Sequence, residues 1–144
     1  MADRTMGQAE RRRRRRLQLG RGAQCAVCRE ADELVLYHVG DRILCARCRR
    51  LERAETPLEA NHPFGRANSP ITIPTDPNVH ARWTDSQHDW PPETLANPAH
   101  DARLALAAVV RAVLTYGDVL LPALEEVAEH LEAGATGEEH GRAD

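Results

Sequence analysis

Apolar positions along this chain fall in short clusters until a long apolar segment begins near residue 99. Residues 34–39 read LVLYHV, a β-prone run, and Gly40-Asp41 after it suits a two-residue hairpin turn. We therefore predict a returning strand over residues 42–44. The Arg, Leu and Glu pattern of residues 49–55 then predicts a short helix, which the following Thr-Pro pair ends.

The next region, residues 57–98, contains eight of the nine prolines, yet short β-prone pieces lie within it. Residues 58–62 and 71–74 are predicted strands, separated by the loop PFGRANSP. Asp76 and Pro77 then suit the N-cap and first position of a helix. The predicted order is strand, loop, strand, helix.

Residues 99–134 are rich in Ala, Leu and Val, and Leu106, Val110 and Val113 recur at helical spacing. This pattern predicts a C-terminal helical pair, either a helical hairpin or one long helix kinked near Pro122. Its apolar stripe would have to fold back on the rest of the chain or form a homodimer with a second copy. Residues 135–144 are expected to be a loose acidic tail.

Composition limits how large a core the chain can build, because only 3% of its 144 residues are aromatic. Another source of stability is therefore needed. The sequence shows no signal-peptide pattern and no span of about 18 apolar residues, so we expect a cytoplasmic protein with no membrane partner. In that compartment its four cysteines stay reduced and free to bind metal.

The four cysteines are spaced for one metal ion. Cys25 and Cys28 are followed after 16 residues by Cys45 and Cys48, so two CxxC turns flank the predicted hairpin. We interpret residues 23–56 as a zinc finger of zinc-ribbon or treble-clef type, with iron–sulfur ligation and redox chemistry as alternatives. Four protein ligands leave no open position, so this zinc is structural, and binding worth about 10–16 kcal/mol would offset the small core.

Charge is distributed unevenly. Residues 1–66 carry 15 Arg against 9 acidic residues, whereas residues 67–144 carry 4 Arg against 13. Six consecutive arginines repel one another, so residues 1–22 are expected to be a disordered basic arm. Contact with nucleic-acid phosphates is predicted for the arginines of this arm and of the later loop, namely Arg11, Arg12, Arg13, Arg14, Arg15, Arg16 and Arg66.

Residues 24–92 resemble a known family. The runs HPFGRANSPITIP, NVH and WTDSQHDWP, set after a four-cysteine finger, are similar to those of HNH endonuclease-like proteins of bacteria and phages. The resemblance implies an α+β fold in which the finger is followed by an HNH-like ββα-metal hairpin over residues 57–98. It also implies metal-dependent hydrolysis of DNA phosphodiester bonds.

Site residues follow from the resemblance position by position. His62 matches the general base that activates water, and an imidazole with its ordinary pKa of about 6.5 suits that task. Asn68 matches the loop asparagine that braces the hairpin. His80 and Asn61 match the positions that contact a catalytic dication, expected to be magnesium, manganese or nickel.

Asn61 departs from the family pattern, which has His, Asp or Glu there, and a carboxamide binds a hard dication less tightly than a carboxylate. Glu59, Asp76 or Asn78 could supply further oxygen ligands. Trp83 and Trp90 are assigned to the core. Ordinary structural or surface roles are assigned to the remaining histidines, His38, His88, His100, His130 and His140.

Three hypotheses follow. The first is a DNA endonuclease that uses the HNH-like site. The second is a non-catalytic zinc-finger module that binds nucleic acid or protein with a degenerate HNH site. The third is a structural assembly protein built on the C-terminal helices.

Overall fold

The computed structural model describes residues 4–138, which form an α+β fold of helices and two small antiparallel sheets, as predicted. In chain order the elements are α1 (Arg4–Leu19), β1 (Leu36–Val39), β2 (Arg42–Cys45), α2 (Ala46–Glu52), β3 (Glu59–Asn61), β4 (Ile73–Thr75), α3 (Pro77–Gln87), α4 (Pro92–Ala96) and α5 (Ala102–Glu138).

Both predicted hairpins are present. β1 and β2 pair with Leu36 opposite Cys45, and Gly40 takes the positive φ of 62° that the tight turn requires. β3 and β4 pair with Asn61 opposite Ile73. The predicted start of α3 is also confirmed, because the Asp76 side chain accepts a hydrogen bond from the Asn78 backbone N–H at 2.8 Å.

The N-terminal region differs from the prediction. Residues 4–19, expected to be disordered, form α1. The reason is that carboxylates from later in the chain offset the arginine repulsion: Arg11 contacts Asp85 and Asp89, and Arg12 contacts Asp32. Residues 1–3 of the predicted arm lie outside the described residues.

The C-terminal helical pair is present as α5, whose backbone breaks at Tyr116 (φ −129°, ψ 18°) rather than near Pro122. Its two limbs are bent by 116°. The buried Tyr116 ring stacks on Trp83 at 4.7 Å, and its hydroxyl donates to the Trp83 carbonyl at 2.7 Å, so this side chain is held by α3 where the helix bends. α5 passes the predicted end at Gly134 and continues to Glu138, and the rest of the predicted tail lies outside the described residues.

Two apolar clusters hold the fold together. One surrounds the first hairpin and contains Cys25, Leu34, Val35, Leu36, Leu44, Cys45 and Cys48. The other joins the second hairpin, α3 and α5, and contains Phe64, Trp83, Trp90, Ala108, Ala112, Tyr116 and Leu120. Both tryptophans therefore belong to the core, as predicted.

Within the described part of the chain, no single helix is long and apolar enough to cross a membrane. The segments Ala102–Gly117 and Val119–Ala133 meet that length and composition only together, as a bent pair.

Candidate functional site

The four cysteines converge on one point, as their spacing predicted. Their sulfur atoms all lie within 4.8 Å of one another, and the Cys28 and Cys45 sulfurs are 3.6 Å apart. Four sulfurs bound at about 2.3 Å to a tetrahedral zinc would be roughly 3.8 Å apart. The cluster can therefore hold a metal ion such as zinc.

Local backbone structure explains how the sulfurs are held. Arg29 takes a positive φ of 66°, and its N–H donates to the Cys25 carbonyl, which closes the first turn. Cys45 ends β2 and caps α2, where its sulfur accepts from the Cys48 N–H at 3.4 Å. The first pair thus lies on a turn before β1, and the second at the junction of β2 and α2.

The pKa shifts of the cysteines favour a bound cation over four free thiols. Burial opposes ionisation of Cys25, but backbone N–H groups of Cys28, Cys45 and Val27 lower its pKa to about 6. Burial, followed by the neighbouring thiols, raises the pKa of Cys48 well above its usual value. Ionisation of one thiol therefore disfavours ionisation of its neighbours. A bound cation offsets this repulsion because it stabilises all four thiolates.

At the second hairpin, His80 on α3 contacts Glu59 on β3, with 2.6 Å between Nδ1 and Oε2. The other Glu59 oxygen accepts from Arg50 at 2.9 Å. Because a carboxylate only accepts hydrogen bonds, Nδ1 of His80 donates here, and Nε2 of the neutral ring keeps a lone pair for a metal or a proton. Metal-binding histidines in general are oriented by the same arrangement, in which the ring nitrogen that does not bind the metal donates to a carboxylate.

Asn61, the last residue of β3, and His62, which follows it, each carry a buried polar atom without a partner among the described residues. Asn61 is 3% exposed, and neither its Nδ2 nor Nδ1 of His62 has a hydrogen-bond partner among the described residues. The His62 backbone is fixed, because its carbonyl accepts from Gly65 N and Gln87 Nε2. A buried unpaired polar group costs about 1–3 kcal/mol, so each one calls for an explanation, such as a bound water, an ion or a catalytic role.

Asn68 braces the loop between β3 and β4. Its Nδ2 donates to the carbonyls of Phe64 and Thr94, and its Oδ1 accepts from Nδ2 of Asn97 at 2.9 Å. Sequence reasoning missed the helix α4, which contains Thr94 and is capped by Asn97. Asn97 takes a left-handed φ of 33°, a conformation that Asn tolerates, and the sequence NP at this point was the available signal.

The other two suggested oxygen donors are engaged elsewhere. Asp76 caps α3 and lies 3.7 Å from Arg47, and the Asn78 side-chain oxygen accepts from the Arg47 N–H. In the described residues, the cysteines are the only group of three or more His, Cys, Asp or Glu placed to share an ion. The described residues of the second hairpin therefore show no His, Asp or Glu cluster of this kind.

Most arginines predicted to bind nucleic acid also contact carboxylates of the chain. Besides Arg11 and Arg12, Arg16 contacts Glu33 at 2.9 Å, and the exposed Arg13 and Arg14 contact Glu10. Arg66 is exposed on the loop after β3. Arg15 differs from its neighbours, because it faces β1 and contacts the ring of Tyr37.

A cleft of about 470 Å³ lies between α1, the first hairpin, α2 and α3. Its lining contains basic and aromatic side chains and both members of the Glu59–His80 contact. It includes Arg15, Tyr37, Arg49, Glu59, His80 and His88. Asn61 and His62 are not among its lining residues, so the structure brings Glu59 and His80, but not His62, to this cleft.

No family model matches the sequence, and no curated protein or solved structure is significantly similar to it.

Proposed function

We propose that the protein is an HNH-like, metal-dependent endonuclease that hydrolyses DNA phosphodiester bonds. The observation that carries the proposal is the hydrogen bond between His80 and Glu59, which joins α3 to β3 and faces a cleft lined by arginines. An oriented imidazole next to cationic side chains suits the binding and hydrolysis of a phosphodiester.

In this proposal His62 is the general base, held by its backbone on a loop that Asn68 braces. His80, through Nε2, and Asn61 would contact the dication, and a bound dication would neutralise charge developing on the phosphate oxygens. The cysteine-bound zinc, with its ligands saturated, only maintains the fold. Reduced thiols of this kind are typical of a cytoplasmic protein, where we place it.

Nicking of supercoiled plasmid tests the proposal. Zinc-loaded protein is incubated with magnesium, manganese or nickel, alongside His62→Ala, His80→Ala and the control His130→Ala, which changes an exposed residue of α5. We expect ion-dependent nicking that falls by at least about 100-fold in the first two variants and is unchanged in the control. A wild-type protein that is inert with all three ions, or a His62→Ala variant as active as wild type, would exclude a nuclease of this design.

A second candidate is a nucleic-acid-binding module with a degenerate HNH site. It is favoured by the Glu59 carboxylate, since both of its oxygens are engaged by His80 and Arg50, which leaves few donors for an ion. The two candidates differ in metal content and activity. Binding of DNA by protein that holds one zinc, takes up no second ion and does not nick plasmid would favour the module.

A further inference from the structure

Two arginines from different elements meet at one aromatic ring in the cleft. The guanidinium carbon of Arg49, on α2, lies 4.3 Å from the centre of the Tyr37 ring, and that of Arg15, on α1, lies 5.2 Å from it. All three side chains are half-buried. Stacking on the ring limits the movement of both cations without neutralising their charge.

These two arginines lack the carboxylate partners that most arginines of the fold have. Neither forms an ion pair with any described residue, whereas Arg11, Arg12, Arg16, Arg50 and Arg82 each contact a half-buried carboxylate. Arg15 makes one long contact with the Leu36 carbonyl at 3.4 Å. Nε of Arg49 is buried and has no partner among the described residues. A donor of this kind is costly unless a ligand accepts from it.

The acidic residues of the cleft do not cancel this charge. Glu59 is engaged by Arg50 and His80, and Asp85 is engaged by Arg11. The cleft therefore offers two uncompensated guanidinium groups at fixed positions, and it also contains His80. Planar guanidinium groups match the oxygens of a phosphate in paired hydrogen bonds.

We infer that Arg15, Tyr37 and Arg49 form a phosphate subsite, and that it binds a backbone phosphate of a nucleic acid beside the phosphate presented to His80. The inference rests on the proposed function for the role of His80, but the binding it predicts does not require cleavage. It also separates Arg15 from the other arginines of the run. Arg15 contacts the nucleic acid, whereas Arg11 and Arg12 hold α1 in place.

Fluorescence anisotropy with labelled single- and double-stranded DNA oligonucleotides tests the subsite. The zinc-loaded protein is used without any other divalent ion, so binding is measured separately from hydrolysis. The variants are Arg15→Gln and Arg49→Gln, and the matched control is Arg53→Gln, which changes an arginine 61% exposed outside the cleft. Retained zinc and an unchanged circular dichroism spectrum show that each variant folds.

We expect each cleft variant to weaken binding by about 5- to 30-fold and to reduce the salt dependence of the binding constant by about one phosphate contact. Arg53→Gln should change affinity less than about twofold. The affinity of Arg49→Lys should lie between those of wild type and Arg49→Gln. Lysine keeps the positive charge but cannot form the paired hydrogen bonds of a guanidinium group. Cleft variants that bind like wild type, or a control that loses as much as they do, would overturn the inference.

Competition with inorganic phosphate shows whether the subsite binds a nucleic-acid phosphate or a free phosphate ion. If the subsite serves a nucleic acid, millimolar phosphate should displace the oligonucleotide only as much as its ionic strength predicts. Saturable displacement beyond that effect, lost in Arg49→Gln, would assign the subsite to a free phosphate and overturn the nucleic-acid inference. A protein that binds as expected but never nicks plasmid would leave the subsite standing and remove only the nuclease.

Discussion

Arg11 of α1 forms a two-point contact with Asp85 of α3. Its Nε donates to one carboxylate oxygen of Asp85 at 2.7 Å, while its other nitrogens reach the Asp85 carbonyl and the carboxylate of Asp89. Residues 74 positions apart are thereby joined by charge-assisted hydrogen bonds in a half-buried setting. This contact makes the N-terminal arginine segment part of the fold.

Replacing Arg11 should therefore destabilise the protein. We expect Arg11→Ala to lower the free energy of unfolding by about 2 kcal/mol, because the carboxylates of Asp85 on α3 and of Asp89 just after it lose their partner. Urea unfolding followed by circular dichroism measures the change. The matched control Arg13→Ala removes an exposed arginine that, among the described residues, pairs with Glu10 on its own helix, and it should have little effect. Equal losses in the two variants would show that α1 is not held by Arg11.

Metal removal should unfold the first hairpin. We expect one zinc per chain by elemental analysis, and a Cys48→Ser variant that loses the ion together with most of the hairpin structure, because the apolar cluster around Cys25, Cys45 and Cys48 is small. A chelator should have the same effect on wild type. His38→Ala, which changes an exposed residue of β1, is the control and should keep its zinc. Cys48→Ser protein with full zinc content would contradict the assignment.

Asp32 should make stability depend on pH. Burial opposes its ionisation, but hydrogen bonds from Arg82 and the Leu34 N–H, with the charge of Arg12, outweigh burial and lower its pKa. A carboxyl whose pKa is lower in the folded than in the unfolded state stabilises the fold above its unfolded pKa of about 3.9. That contribution is lost as pH falls through the folded pKa.

The stability difference between wild type and Asp32→Asn is the quantity to measure, because acid release of zinc affects both proteins. We expect the difference to be constant above about pH 5 and to shrink below pH 4, in urea unfolding at several pH values. Asp41→Asn, on the exposed turn of the first hairpin, is the control. A difference for Asp32→Asn that is the same at pH 6 and pH 3 would contradict the ionised pairing with Arg82.

The first limb of α5 leaves an apolar stripe uncovered. Leu106, Val110 and Leu114 are 64%, 50% and 75% exposed, with Arg103 and Arg111 beside them. The second limb carries exposed Leu121 and Leu131 among the acidic residues Glu125, Glu126 and Glu129. The first limb is therefore basic beside its apolar surface, and the second limb is acidic beside its own. We predict a homodimer in which the second limb of each copy packs on the first limb of the other.

Size-exclusion chromatography with light scattering tests the dimer. We expect dimers at about 50 μM and monomers for Val110→Asp, since burial of a carboxylate in the interface would be costly. The control Leu17→Asp changes a leucine of α1 that is 75% exposed, and it should leave the assembly state unchanged. A wild-type monomer at this concentration would exclude the exchange.

Local patterns predicted the parts of the fold that local interactions determine. The turn at Gly40, the cap at Asp76 and the two CxxC pairs each depend on residues close in sequence. The order of α1 depends on Asp85 and Asp89, which no pattern in an arginine run reveals. Likewise the break in α5 occurs at Tyr116 because Trp83, 33 residues earlier, holds that side chain.

At the candidate site, the sequence indicated His62, Asn68 and His80 but not their surroundings. The contact of Glu59 with His80 follows from the position of β3 against α3, which a strand prediction alone does not give. The bracing of Asn68 depends on α4, a helix too short to leave a clear periodic pattern. The sequence did not distinguish Arg49 from the other arginines, because the contact of its guanidinium group with the Tyr37 ring is visible only in the structure.

Trp83 gives the site an intrinsic optical probe. It is 6% exposed and stacked on Tyr116, and it lies three residues after His80 on the same helix. A ligand or a partner that shifts α3 against the bend of α5 would alter the surroundings of this indole. Tryptophan emission, with Trp90 replaced by Phe, would then follow events at the hairpin in real time and without an attached label.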